Sequence, residues 1–397
     1  RGQRGGVGDD AGGVPWPVPG ISFSHSFVSS PMSTDRHAAR RRRLVSRLKR
    51  EHVEALLVTG ETNVTYLTGF SGDSSYLLLG SSVSVLISDT RYTVQITEEC
   101  PGLDVTIRDA RQPMPQAVAR IIGKARLTRL AVEGDATSVS DWNRLAEQVK
   151  PLELSPLSGL VEELRMIKDA SEVASIREAI EQAERGFDAL VSLMVPEMTE
   201  LEVAHQLEHL MRRFGAWRAS FEPIVATGPR AALPHARPGD RPLSSAGFVL
   251  IDWGASNRRG YKSDLTRVIV TGKVSSKLEK VYGVVFNAQR RGLEAIRPGV
   301  SMRSVDAAAR RVIEQAGYGK NFGHGLGHGI GLDIHEEPRL SPIASGVLKP
   351  GMVLTVEPGI YLPGWGGVRI EDDVLVTRDG CEVLSSVPKR FEDAVLN

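Results

Sequence analysis

The chain has 397 residues, 41% hydrophobic and 24% charged, with 49 Lys and Arg against 48 Asp and Glu for a formal net charge of +1. That length exceeds what one hydrophobic core usually serves, so two domains are expected, and the balanced charge argues against nucleic acid or an anionic membrane surface as the main partner. Two cysteines, Cys100 and Cys381, are too few for a disulfide framework and suit a reducing compartment, the cytoplasm, and no apolar run reaches the roughly 18 residues that span a bilayer.

Residues 1–31 are rich in Gly, Pro and Ser without sustained periodicity and read as a disordered leader, with Met32 as the expected native start. A basic amphipathic helix follows, with Ser33, Thr34 and Asp35 as capping candidates. Its run Arg40–Arg43 reads as a solvated face. Up to about residue 155 strands are expected at 55–59, 75–79, 83–88, 104–107 and 130–134, and helices at 114–125 and 138–149, which makes an α/β domain with a mixed or parallel sheet. Lacking clustered His or Cys, this domain is expected to shape or assemble. Residues 157–194 read as helical, with a break at Asp169–Ser171 where a new N-cap fits. Beyond lie a helix from Thr199, strands near 222–227, 247–252 and 264–271, helices at about 276–296 and 301–316, and a glycine-rich β region, the pattern of an α+β domain.

The stretch HQLEH (205–209) matches H-x-x-E-H, a zinc-protease signature with two histidines on one helix face. The helix opens with a capping box, Thr199 to Glu202, and Leu201, Ala204, Leu207, Met211 and Phe214 mark its buried face. His205, Glu208, His209 and Arg212 then fall on the opposite side, a solvated stripe.

Four later stretches carry denser chemistry. In VLIDWGASNRRGYKSDLTRVIV (249–270) two apolar runs present Asp252 and Asp264 across a turn, and a hairpin would bring the carboxylates together. Two facing carboxylates repel unless a cation sits between them. HGLGHGIGLDIHEEP (324–338) sets His324, His328 and His335 on a glycine-rich backbone, expected to let substrate and backbone approach closely. LTVEPGIYLPG (354–364) supplies Glu357 after a β-branched run, and GGVRIEDDVLV (366–376) places Glu371 within a strand-like segment. Four acidic side chains with an imidazole are too much charge for an inner sheet face without metal. Such a ligand set favours Mn²⁺ or Co²⁺, with Zn²⁺ also suitable, and suggests two ions that could share a bridging hydroxide.

Together with PHARPGDRPL (234–243), these stretches resemble the metallopeptidases of the methionine aminopeptidase, creatinase and prolidase superfamily, whose catalytic domain is the α+β pita-bread fold. Residues 32–160 resemble the N-terminal domain of creatinase, prolidase and aminopeptidase P, which divides the chain into a leader (1–31), that domain (32–160) and the catalytic domain (161–397). The resemblance implies that Asp252, Asp264, His328, Glu357 and Glu371 ligate two divalent ions, Mn²⁺ first. It makes His235 the contact to substrate or leaving nitrogen and His335 the stabiliser of the tetrahedral intermediate, with Glu357 doubling as general base or acid for the bridging hydroxide. His324, Tyr361 and Arg369 fall on recurrent pocket positions. The implied activity is hydrolysis of the Xaa-Pro bond in peptides with proline second, by a cytoplasmic homodimer independent of nucleic acid and membrane.

Methionine aminopeptidases lack the N-terminal domain, and creatinase-like members lack the ligand set. Dipeptidase and aminopeptidase P both stay open. Arg339 in HEEPRL is a candidate clamp for a dipeptide's free carboxylate and reads equally well as an exposed loop arginine. The Asp252–Asp264 interval of twelve residues is one longer than is associated with the superfamily. Either the SNRRG turn absorbs the extra residue, or a register shift turns one carboxylate away. The alternative from another class is a catalytically silent pita-bread protein used as a binding module.

Overall fold

The structure, a computed structural model, describes residues 31–395. Apart from Pro31 the expected leader lies outside the described residues. Helix α1 (Pro31–Arg50) already contains Ser33, Thr34 and Asp35, so these do not precede it as caps. Nor is its basic run uniformly solvated. Arg40 is buried, 2.9 Å from both Asp169 and Glu172, with its guanidinium 4.0 Å from the Tyr66 ring centroid. Arg41 donates to the Leu67 carbonyl, while Arg42 and Arg43 are exposed. The sequence pattern misses this because both partners of Arg40 lie well over a hundred residues away.

The first half is built on a mixed six-stranded sheet, order β4-β3-β2-β1-β5-β6, from β1 (Ala55–Val58), β2 (Tyr76–Gly80), β3 (Ser84–Asp89), β4 (Asp104–Arg108), β5 (Arg129–Glu133) and β6 (Glu153–Leu157). β1 is buried throughout because both faces are covered. Leu57 and Leu78 face α4 (Met114–Ala125) and α5 (Val139–Val149), while Leu56, Val58 and Leu77 face α1 and α2 (Glu61–Thr68). The sequence reading did not include α2, α3 (Thr93–Glu99) or β6. The Val and Thr content of α2, ETNVTYLT, is poorly helical by propensity and is held by tertiary packing. The core containing Leu44, Leu56 and Leu77 continues into Tyr261, Ile330, Leu332 and Val353, so the two halves are joined by a shared hydrophobic cluster.

A short helix α6 (Glu162–Arg165) leads to α7 (Ala170–Val191), which starts at Asp169 through a capping box with Glu172, and to α8 (Glu200–Arg213), capped by Thr199 with Glu202. After β7 (Arg218–Ala219) come β8 (Ile224–Thr227), β9 (Phe248–Trp253), β10 (Ala255–Ser256) and β11 (Leu265–Val270), with β9 central between β8 and β11, all antiparallel. Helices α9 (Ser276–Ala295) and α10 (Met302–Gln315) follow. The chain then builds a second sheet, β13-β12-β14-β17-β18, from β12 (Gly327–Gly329), β13 (Glu336–Leu340), β14 (Val353–Val356), β17 (Asp372–Val376) and β18 (Cys381–Val383), with a hairpin of β15 (Gly359–Leu362) and β16 (Gly366–Arg369). This is the expected α+β arrangement, antiparallel sheets enclosed by helices.

Alternation along β9 decides where its aspartate points. Val249, Ile251 and Trp253 pack with Phe187, Val203 and Leu207 of the α7/α8 layer, whereas Phe248 and Leu250 join the core under α9 and α10. Asp252 belongs to the second set and so lies on the inner face. On β11, Leu265 and Ile269 pack outward and Val268 and Val270 inward, which puts Thr266 and the preceding Asp264 on that inner face as well. Both cysteines are free, and among the described residues no helix is long and apolar enough to cross a membrane.

Candidate metal centre

The turn between β9 and β11 answers the register question. Asn257 and Tyr261 close it through a backbone hydrogen bond of 2.9 Å, Asn257 Oδ1 accepts from the amides of Arg259 and Tyr261, and Gly260 takes φ +84°. The extra residue is absorbed in this turn and the ladder from Asp252–Thr266 onward is unbroken. Asp252 and Asp264 therefore converge, and both are buried. Glu371 is not within a strand run as expected. It sits at the junction of β16 and β17, bridged to Thr266, whose hydroxyl donates to Glu371 Oε2 at 2.6 Å.

Ligand atoms of Asp252, Asp264 and Glu371 lie within 4.8 Å of one another, and so do those of His328, Glu357 and Glu371. His335 forms a third such group with Asp264 and His328, its ring edge-on to His328 at 4.4 Å between centroids. The glycines beside His328 serve the protein's own backbone. A Cβ at Gly327 would meet the Thr355 carbonyl at 2.0 Å, and one at Gly329 the Glu337 carbonyl at 2.2 Å.

The electrostatics are those of a site that concentrates acidic groups away from water. Burial pushes Glu357 up to about 7, the Arg369 guanidinium opposing and Asp252 adding to the rise. Asp264 and Glu371 are held well above the ordinary carboxylate range, first by burial; Glu371, Asp252, Asp373 and Glu357 add to the rise at Asp264, and Glu357 and Asp252 to that at Glu371. Burial also pulls His328 down to about 3, with nearby His335 adding to the effect, so the ring is neutral. Its Nδ1 lies 3.0 Å from the Gly329 carbonyl and must carry the hydrogen; Nε2 is then a bare lone pair, 3.4 Å from Glu357 Oε1 and 3.6 Å from Asp264 Oδ2. Asp252 Oδ1 is buried without a hydrogen-bond partner. Carboxylate and imidazole ligand atoms gathered at such distances fit a divalent cation, and two overlapping ligand groups sharing Glu371 fit a pair.

Around this cluster Arg369 is the organising cation. It is buried and donates to Asp252 Oδ2 at 2.5 Å, to Thr266 Oγ1 at 3.0 Å and to the Tyr361 hydroxyl at 2.8 Å. His324 Nε2 lies 2.9 Å from that hydroxyl. Thr266 was not singled out from sequence, although its place two residues after Asp264 on the same strand face was a signal. The cluster opens into a cleft of about 820 Å³ that also exposes His235, His335, Arg339, Phe221 and Pro234. HQLEH does not reach it. His205 and His209 are exposed on α8 and Glu208 pairs with Arg212 at 2.8 Å. Leu201, expected on the buried face of that helix, is 36% exposed, because Val203 and Leu210 take the core positions instead.

The sequence profile of metallopeptidase family M24 matches residues 174–378, and that of the creatinase/prolidase N-terminal domain matches residues 40–167. The chain belongs to metallopeptidase family M24. It is 38% identical over 339 residues to an uncharacterised peptidase, YqhT, of Bacillus subtilis strain 168, covering 85% of this chain and 95% of that one. Among solved structures, an Xaa-Pro dipeptidase from Bacillus anthracis superimposes with a TM-score of 0.87 at 38% identity, covering 91% of this chain and all of the other. An X-Pro aminopeptidase from Thermotoga maritima superimposes with a TM-score of 0.81 at 35% identity, covering 88% and 99%.

Proposed function

We propose that this M24 chain is a divalent-metal-dependent peptidase that hydrolyses the bond preceding proline, with Asp252, Asp264, His328, Glu357 and Glu371 holding two ions of the Mn²⁺ class. The observation that carries this reading is the His328 Nε2 lone pair held 3.4 Å from Glu357 Oε1 and 3.6 Å from Asp264 Oδ2, in a cluster of ligand atoms that also takes in Glu371. When bound, a pair of divalent cations supplies a Lewis acid for the scissile carbonyl and brings water's ionisation near neutral pH.

The chain's own residues then divide the remaining work. Glu357 is the cluster member with the most open side chain, 16% exposed, and is placed to take a proton from attacking water. His335 and His235 stand on the cleft wall, where an imidazole can donate to a developing oxyanion or to the leaving nitrogen. Expulsion of the proline nitrogen needs such a donor, because an amine leaves the tetrahedral intermediate only once it has gained a proton. Phe221, Ile224, Pro234 and Leu340 give the cleft apolar wall for a pyrrolidine ring. Arg339 projects from β13 into the cleft with no carboxylate partner among the described residues, which supports capture of a dipeptide's free C-terminus. The two solved relatives, one an Xaa-Pro dipeptidase and one an X-Pro aminopeptidase, frame the test. With Mn²⁺ present, turnover of Xaa-Pro, Xaa-Pro-Yaa-Zaa and Xaa-Ala is compared. Hydrolysis of Xaa-Pro well above the other two is expected; preference for the tetrapeptide would reassign the chain to aminopeptidase P, and no proline selectivity would refute the proposal.

A further inference from the structure

Every residue lining the cleft comes from the C-terminal half, yet the segment that carries His335 is anchored from elsewhere. The His335 ring has no hydrogen bond among the described residues, only its edge contact with His328, so its position is inherited from its backbone. That backbone is gripped on both sides of His335. Arg165, buried at 4% exposure in the link between the two halves, donates through Nη2 to Asp333 at 2.6 Å and to Glu336 at 2.5 Å. Its Nη1 donates to Asn63 of α2 at 2.8 Å. Lys168 adds a 2.5 Å bond to the other Glu336 oxygen, and Thr62 of α2 adds one of 2.9 Å to Asp333. Gly331 completes the fit, since a Cβ there would lie 2.5 Å from Glu336 Oε1.

Stability alone is a poor reason for such a cluster, because burying ion pairs costs desolvation that apolar packing of the same volume avoids. What the arrangement secures is a fixed course for residues 333–336. We infer that Arg165 is a positioning residue, holding Asp333 and Glu336 so that the imidazole between them points into the cleft, and that through it the N-terminal half acts on a site to which, among the described residues, it contributes no lining side chain. What His335 does there rests on the peptidase reading; where it sits does not.

A double-mutant cycle in the full-length chain tests the inference. Arg165→Lys keeps the charge and loses the fork. It is expected to lower kcat on an Xaa-Pro dipeptide about tenfold, the scale seen when supporting contacts of a catalytic group are lost, with KM changed by less than about twofold. In a His335→Ala background the same change should cost less than about twofold. In metal-free protein, histidine-selective NMR should show the His335 ring signal shifted or broadened by Arg165→Lys while those of His205 and His209 stay in place. An equal fall of kcat in both backgrounds, or an unmoved His335 signal, overturns the inference. If the wild-type chain does not cleave Xaa-Pro at all, the peptidase reading has failed and the NMR arm alone decides. If Arg165→Lys does not fold, Thr62→Val removes one bond to Asp333 without stranding a buried charge, and the same two readouts apply.

Discussion

The Tyr361 hydroxyl lies 2.9 Å from His324 Nε2 and 2.8 Å from Arg369 Nη1, so one oxygen links an imidazole to the guanidinium that grips Asp252. Proton directions along this chain follow from the surroundings. Burial pulls His324 down to about 4, leaving it neutral, and its Nδ1 sits 2.8 Å from the Gly325 carbonyl, so Nε2 is the acceptor. Burial pushes Tyr361 up to about 12, keeping it the donor to His324 while it accepts from Arg369. Tyr361→Phe therefore strands an acceptor and a donor in a buried setting, at a cost of about 1–3 kcal/mol. It should also lower kcat/KM about tenfold by loosening the hold of Arg369 on Asp252. Bound metal should be unchanged, because the hydroxyl is committed to His324 and Arg369. Thermal unfolding, metal analysis and kinetics on one sample check all three; a variant that has lost its metal would show that Tyr361 does more than hold Arg369.

The H-x-x-E-H stretch of α8 carries the opposite expectation. His205 and His209 are exposed and lie outside every ligand group. Their replacement by alanine should alter stability by no more than about 0.5 kcal/mol and leave metal content and turnover as in the wild type. Loss of zinc or of activity in this double variant would revive the zinc-protease reading.

How much of this was legible in the chain depends on how local each relationship is. The hairpin presenting Asp252 and Asp264 could be read because two apolar runs flank one turn, and the N-cap near Asp169 and the capping box at Thr199 because each is contained in four residues. Glu371 was recognisable as a ligand candidate, but its bridge to Thr266 spans 105 positions and displaced it from the strand it was expected to occupy. Arg40 and Arg165 were illegible for the same reason. A buried arginine and an exposed one have the same local pattern, and only the fold brings Glu172 or Glu336 to meet them.

Removing one ligand should separate stability from function. Glu371 is held well above its ordinary range by burial and by Glu357 and Asp252, so it is a strained member of the metal-free cluster. Glu371→Gln keeps the shape and an oxygen to accept from Thr266 Oγ1 while deleting the charge. Metal-free Glu371→Gln should be at least as stable as metal-free wild type at pH 8. It should bind fewer ions and lose activity by about a thousandfold or more, since Glu371 is shared by both ligand groups. Mass spectrometry of bound metal and thermal scans without metal decide it; a variant both inactive and markedly less stable without metal would mean that the glutamate is a structural partner and not a repelled ligand.

The same charges fix the direction of a pH effect. His324 and His328, with folded values of about 4 and about 3, are neutral in the folded chain throughout, whereas unfolded they titrate around the ordinary 6.5; they therefore add a smaller opposing slope that fades by about pH 7.5. In the unfolded chain Asp and Glu, with ordinary values of 3.8 and 4.5, are already ionised at pH 6.5. In the folded metal-free chain Glu357, near 7, is still partly protonated at that pH, and burial together with neighbouring carboxylates holds Asp264 and Glu371 well above their ordinary values, so that they too give up protons later than in the unfolded chain. The folded state therefore binds more protons than the unfolded one, and its stability must fall as pH rises from about 6.5 to 8. Divalent ions displace those protons, so their affinity should climb over the same interval and saturating Mn²⁺ should abolish the decline. Differential scanning calorimetry of metal-free and Mn²⁺-loaded chain at pH 6.5, 7.2 and 8 measures both slopes. A metal-free Tm that holds steady or rises with pH would mean the acidic side chains are not confined together, and the metal centre would lose its electrostatic basis.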